Sequence, residues 1–160
     1  MPRLIDRGGA CERLELDLFL PYRLSVLQQE VSRLIATAYA EKHGLTRHDW
    51  RVMAALGSDQ PLTANDVCSR TNMDKVQVSR AIARLLGRGL VVRAQDAGDR
   101  RRWSLQLTPR GEDIYRDIVP AARRREAELL DGLSEAERRR LHALIDKLYR
   151  RACHLTHGDG

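Results

Sequence analysis

The chain has 160 residues, 42% apolar but only 4% aromatic, and sets 28 lysines and arginines against 22 acidic residues for a formal charge of +6. That length holds one domain with helical extensions and leaves little room for a separate enzyme domain, and a core so poor in aromatics must be built from Leu, Val, Ile and Ala, as in mostly helical proteins. The basic balance suits a polyanion such as nucleic acid. No apolar run approaches the roughly 20 residues of a membrane span, and residues 1–10 lack the apolar stretch of a secretory signal, so a cytoplasmic protein without membrane contact is expected.

Residues 1–15, with Pro2 and the Gly8-Gly9 pair, read as a flexible arm. From Leu18 onward, Leu20, Leu24, Leu27, Val31, Leu34 and Ala38 return at three- and four-residue steps, one face of a long helix expected to run to about Lys42 and stop at His43-Gly44. Five places then set a short polar residue three or four positions ahead of an acid or amide, the pattern that caps the free amides of a helix start. Thr46 with Asp49 opens a helix through Leu56, Thr63 with Asp66 a short one through Ser69, and Asp74 with Gln77 a third to about Gly87. After Gly89 the period changes to alternation: Trp103, Leu105 and Leu107 share one side of a half-buried strand whose partner is Leu90 to Val92, and Ala94 to Arg102 form a polar hairpin tip. Thr108, followed by Pro109 and Glu112, starts a long helix, with proline favoured at the first helical position. Ser134 with Glu137 starts the last helix, which carries Leu141, Leu144, Ile145 and Leu148, and residues 153–160 read as a flexible tail.

The order short helix, turn, second helix, basic hairpin is that of a helix-turn-helix with a wing. On the second helix Val78, Ile82 and Leu85 can face a core, which leaves Lys75, Gln77, Ser79, Arg80 and Arg84 on other faces. A helix end inserted in the major groove needs such types: Gln pairs bidentately with adenine, Arg with guanine, Lys with phosphate or guanine, and Ser with phosphate or a thymine edge. The plainer alternative is a solvated polar face. Arg100, Arg101 and Arg102, which follow Asp99 on the hairpin tip, can reach a narrow, electronegative minor groove.

Leu45-Thr46-x-x-x-Trp50-x-Val52, Asp74-Lys75-x-x-Val78-Ser79-Arg80, Arg88-Gly89-Leu90-Val91, Asp96-x-x-Asp99-Arg100-Arg101 and Leu107-Thr108-x-x-Gly111 together resemble the multiple antibiotic resistance regulator (MarR) family. The similarity in element order covers residues 16–152, so the expected architecture is one mostly α winged helix-turn-helix domain with a small β wing, its DNA-reading part at about 46–107, and dimerisation helices at both ends. The resemblance implies a homodimer whose first helix and last two helices intertwine, a pseudo-palindromic operator in double-stranded DNA, an Asp99–Arg101 pair that holds the wing tip, and a small-molecule effector. Repression relieved by an aromatic acid or its thioester is the expected outcome, because several family members bind aromatic acids in a cleft between dimerisation helices and reading domain. Tyr22 and Arg23 fall near that cleft, where an arginine suits a carboxylate, and Trp50 could wall it. For Arg23 the alternative is a salt bridge, and for Trp50 a place in the core.

Other signals point elsewhere more weakly. Arg123-Arg124-Arg125 and Arg138-Arg139-Arg140 lie on terminal helices that the family keeps away from DNA, and solvation is their expected role. One branch of the family senses hydroperoxides through a cysteine at the start of the first helix, but when Leu16 to Leu20 is laid on that branch's opening motif, Pro21 holds the sensing position and Cys11 lies in the arm. Cys68 fits a small core residue, and Cys153, His154 and His157 lack the spacing of a zinc motif, so neither metal nor other cofactor is expected. No Walker lysine loop, G-x-G-x-x-G, H-E-x-x-H or G-x-S-x-G is present to support an enzyme. A peroxide-responsive regulator of the same fold, or an architectural protein with little sequence preference, are the alternatives. Gln77 and Arg80 favour sequence readout over the latter.

Overall fold

A computed structural model describes residues 13–95 and 103–158. Among the described residues, seven helices and one hairpin follow one another as α1 (Leu20–Ala36), α2 (Ala40–His43), α3 (Arg47–Ser58), α4 (Ala64–Thr71), α5 (Lys75–Gly87), β1 (Val91–Gln95), β2 (Trp103–Leu107), α6 (Pro109–Leu130) and α7 (Glu135–His157). This is the mostly helical, winged architecture the sequence implies. None of the described helices is long and apolar enough to cross a membrane.

All five expected helix starts form, and the caps explain why. In α3, α4, α5 and α7 the side chain of Thr46, Thr63, Asp74 or Ser134 accepts from the backbone N–H three residues on, while the acid or amide there accepts in return from the cap's own N–H. At α6 the cap is simpler: Thr108 Oγ1 accepts from the Gly111 N–H at 3.0 Å, and Glu112 is turned instead to Gln60 and Arg116. Gly111 itself is required, since a Cβ there would collide with the Leu90 carbonyl oxygen and push α6 off the hairpin.

The first helix departs from expectation. A single helix to Lys42 is interrupted after Ala36, where three successive N–H groups, those of Thr37, Ala38 and Tyr39, bond back three residues rather than four. Thr37 Oγ1 also bonds the Leu34 carbonyl at 2.7 Å, competing for the acceptor a straight helix would use. The break rotates Tyr39 inward until it is 1% exposed, and a periodicity count over small and apolar residues cannot register that turn. The short α2 then ends at Gly44 in the left-handed conformation. At the other end α7 stays helical to His157, so 153–157 continue the helix where a tail was expected.

The core lies between α3, α4, α5, the hairpin and the first half of α6. Val52, Met53 and Leu56 of α3 meet Val67, Val78, Ile82, Leu85, Leu90 and Ile118, all 2% exposed or less. Each such side chain contributes about 1.5–3 kcal/mol of transfer free energy. The hairpin is antiparallel, Val91 opposite Leu107 through Gln95 opposite Trp103, and Leu105 also pairs with Leu62 through two backbone hydrogen bonds. Leu105 and Leu107 turn inward as expected, but Trp103 at the tip end remains 54% exposed because the core does not extend that far.

Candidate nucleic-acid interface

α5 is held at its rear and bare at its front. In its second half Arg84 Nε donates to Asp49 Oδ1 at 2.9 Å and Nη2 to Thr46 Oγ1 at 3.3 Å, while Arg88 at the C-terminal cap donates to the carbonyls of His43 and Gly44 at 2.6 and 3.0 Å. Val78, Ala81, Ile82 and Leu85 fill the core. What remains outward in the first half is Lys75, Val76, Ser79 and Arg80, all exposed. No hydrogen bond or ion pair among the described residues ties down Lys75, Ser79 or Arg80 through its side chain.

The expected contacts therefore separate. Lys75, Ser79 and Arg80 share the open face, next to an N-terminal end whose unpaired N–H groups attract phosphate. Gln77 is half-buried and its Oε1 accepts from the Asp74 N–H at 3.3 Å, so its amide caps the helix before it can read a base. Arg84 is committed to the 3% exposed carboxylate of Asp49, a structural task that removes its guanidinium from the front of the helix. Val76 was missed: it is 58% exposed between Lys75 and Gln77, an apolar side chain on the same open face. Its misfit was visible in principle, since Val76 falls off the Val78, Ile82, Leu85 stripe. Asp99, Arg100, Arg101 and Arg102 lie outside the described residues.

The three expected effector residues do not come together within one chain. Tyr22 and Arg23 are exposed on α1, beside a shallow hollow of about 360 Å³ that Asp17 and Glu30 also border. Trp50 is on α3, stacked between Tyr39 and Tyr115 with ring centroids 5.7 and 5.9 Å away. One edge of Trp50 borders a cleft of about 280 Å³ between α1 and α3, lined also by Val31, Ile35 and Tyr39 and by Arg47 and Arg51. Burial raises the Tyr39 phenol above its usual value, against the opposing pull of those two arginines. Arg47 and Arg51, four residues apart around Trp50, have no hydrogen-bond partner among the described residues; that spacing was the signal available in the sequence. A larger apolar groove of about 680 Å³ opens where α1, α6 and α7 face one another, with Leu27, Val119, Leu141 and Ile145 in its walls.

Near the junction of α2 and α6, Asp117 accepts from Lys42 Nζ at 2.6 Å and His43 Nε2 at 2.7 Å, and these hydrogen bonds hold its carboxyl below the ordinary range. Cys68 is half-buried against the core, Cys11 lies outside the described residues, and among the described residues no three His, Cys, Asp or Glu side chains cluster as a metal site would need.

Comparison with known proteins agrees with this fold. Residues 43–102 match the family model described as the MarR family. The chain is 30% identical over 104 residues to the transcriptional regulator HosA of Escherichia coli O157:H7, covering 65% of this chain and 77% of that protein. Among solved structures it superposes with a TM-score of 0.80 on a MarR/EmrR family transcriptional regulator from Acinetobacter sp. ADP1, at 25% identity over 87% of this chain and 98% of that one. It superposes with a TM-score of 0.77 on BpsR of Bordetella bronchiseptica, a protein whose DNA binding is regulated by 6-hydroxynicotinic acid, at 25% identity over 86% and 98% of the two chains.

Proposed function

The chain belongs to the MarR family of DNA-binding transcriptional regulators, and from that premise we propose that it is a homodimeric, sequence-specific repressor released from its operator by a small aromatic acid. The observation that carries the reading is the division of α5: a rear half anchored through Arg84 and Arg88, and a front half presenting Lys75, Val76, Ser79 and Arg80, exposed and without a side-chain hydrogen bond or ion pair among the described residues. A helix so mounted enters a major groove N-terminal end first. Arg80 is assigned to guanine, Val76 to a thymine methyl, Lys75 and Ser79 to phosphate, and Gln77 to a secondary role behind its cap. Arg100, Arg101 and Arg102 are assigned to the minor groove at the flanks, with Asp99 bracing Arg101, on the strength of the family resemblance.

Dimerisation is supported by α1 and α7, which bury no residue within the chain while Leu20, Leu24, Leu144, Ile145 and Leu148 stand exposed along them. Apolar stripes of that size normally mark an interface. The effector reading moves from Tyr22 and Arg23 to the cleft beside Trp50, where an aromatic ring would lie among Val31, Ile35 and Trp50 and a carboxylate would meet Arg47 and Arg51. BpsR, with its aromatic acid, supports the ligand class. Release requires that the acid bind the DNA-incompetent arrangement more tightly, since equal affinity for both shifts nothing.

The test is binding of the full-length chain to a duplex selected from a random pool and to random duplex at physiological salt. A preference on the order of 10³-fold or more is expected for a sequence-specific regulator, and a ratio near one contradicts it. Addition of 6-hydroxynicotinic acid and a panel of hydroxycinnamates and benzoates should weaken the specific complex. If no acid in the panel binds by calorimetry, the effector reading fails while the DNA reading stands.

A further inference from the structure

The basic residues of α6 and α7 have different surroundings. On α6, Arg116 pairs with Glu112 and Asp113, and Arg125 with Glu128 and Thr37 Oγ1. On α7 the glutamates are spent in the first turn: Glu137 closes the cap with Ser134, and Glu135 lies 3.5 Å from Arg139. Arg138 donates to the Leu133 carbonyl at 3.1 Å. Beyond these, Arg140, Lys147, Arg150 and Arg151 are exposed, and no hydrogen bond or ion pair among the described residues engages their side chains. At about 100° per residue, these four and His154 share an arc of about 100° over about 21 Å of helix axis, with Asp146, the only carboxylate of α7 past its first turn, at the margin. Leu141, Leu144, Ile145, Leu148 and Leu155 are exposed on the adjoining arc. In the proposed dimer the apolar arc meets the second copy. The basic arc does not follow it there, because burying four unpaired cations is costly.

We propose that this basic face of α7 binds the phosphodiester backbone of a second DNA duplex, without sequence preference, while α5 holds the first. The proposal rests on the dimeric, DNA-binding reading given above. Three of the four cations are arginines, whose forks match the oxygens of a phosphate. A duplex carries one charge per about 1.7 Å of its axis, so a row of about 21 Å faces several phosphates at once. α7 holds neither Asn nor Gln to read adenine, which makes the contact one of charge rather than of sequence. An anionic membrane matches less well, since a helix lying on lipid inserts its apolar arc, and here that arc is assigned to the second copy. A dimer with such a face on each α7 joins two segments of DNA.

In the test, the selected duplex is immobilised and saturated with the full-length protein, and a labelled random duplex of about 30 base pairs is added at about 50 mM salt. Retention of the random duplex is expected, with an affinity that falls on a log–log salt plot with a slope of about −3 to −4, as four neutralised phosphates require. The fourfold variant Arg140→Gln, Lys147→Gln, Arg150→Gln, Arg151→Gln should retain it at least about tenfold more weakly, while affinity for the selected duplex stays within about twofold. If thermal melts show that this variant does not fold, Arg150→Gln with Arg151→Gln decides instead, with a loss of at least about threefold expected. No retention by the parent, or undiminished retention by the folded variant, overturns the proposal. So does a fourfold variant that sediments as a monomer, because the face then belongs to the second copy. Binding of the parent to vesicles of phosphatidylcholine and phosphatidylglycerol with no random duplex retained also overturns it, in favour of a lipid surface. If the parent binds no selected duplex, the reading of α5 fails, and binding of random duplex by the free protein, lost in the fourfold variant, decides the α7 face by itself.

Discussion

Between Leu45 and Leu107 every helix closes a face from water: α3 buries five residues, α4 two and α5 four. α1 and α7, at 17 and 23 residues the outer helices of the chain, bury none, although their apolar positions recur just as regularly. The same amphipathic pattern therefore has two outcomes. In the first region it is satisfied within the chain and fixes the shape that presents α5. In the second it is left for another surface, and on the proposed reading that surface is a second copy.

The sharpest way to break this contrast is to place charge on the outer helices. Leu144→Asp with Ile145→Asp should leave the reading region folded but yield monomers by sedimentation, and specific DNA affinity should drop by on the order of 10³-fold, toward non-specific binding. Unchanged oligomeric state would mean that α7 does not meet a partner. A core change should act in the opposite sense: Leu56→Ala, at a fully buried site, should lower stability by about 2–5 kcal/mol in denaturant melts without separating the subunits first. Smaller still, Arg80→Ala should cost about 1–3 kcal/mol on the preferred sequence and relax the preference at one base position, read by repeating the selection with the variant. The smallest effect concerns the joint between the two regions. Asp117 has a lowered carboxyl pKa through Lys42 and His43, so its contribution is present above the ordinary carboxylate range and lost as pH falls through the lowered value. The melting difference between the parent and Asp117→Asn should accordingly shrink as pH is taken from about 6 to about 3.

Legibility in the sequence followed the range of the interactions involved. Caps such as Thr46 with Asp49 and Ser134 with Glu137 are local, within three residues, and all five helix starts could be read directly. The hairpin was legible because alternation at Leu105 and Leu107 is equally local, and the family resemblance extended that reading to the wing and to function. What stayed hidden depended on contacts distant in sequence. The break after Ala36 goes with a Tyr39 stacked on Trp50, and Arg84 is held by an aspartate 35 positions earlier. The effector residues failed to converge for the same reason: Tyr22 and Arg23 sit toward the opposite end of α1 from Tyr39, which packs against Trp50. Gln77 illustrates an intermediate case: its place in the cap was legible in the sequence, and the carbonyl oxygen expected to read a base is occupied by that cap.

The central claim is that two copies of this chain present two α5 helices, front half outward, to successive turns of one duplex. Its most direct measurement is the DNA that the full-length protein enriches from a random pool, with the protected interval mapped at single-base resolution. A pseudo-palindrome whose half-site centres lie about one helical turn apart, roughly 34–36 Å, is the predicted result. Enrichment of a single asymmetric site, or of no sequence at all, would contradict it.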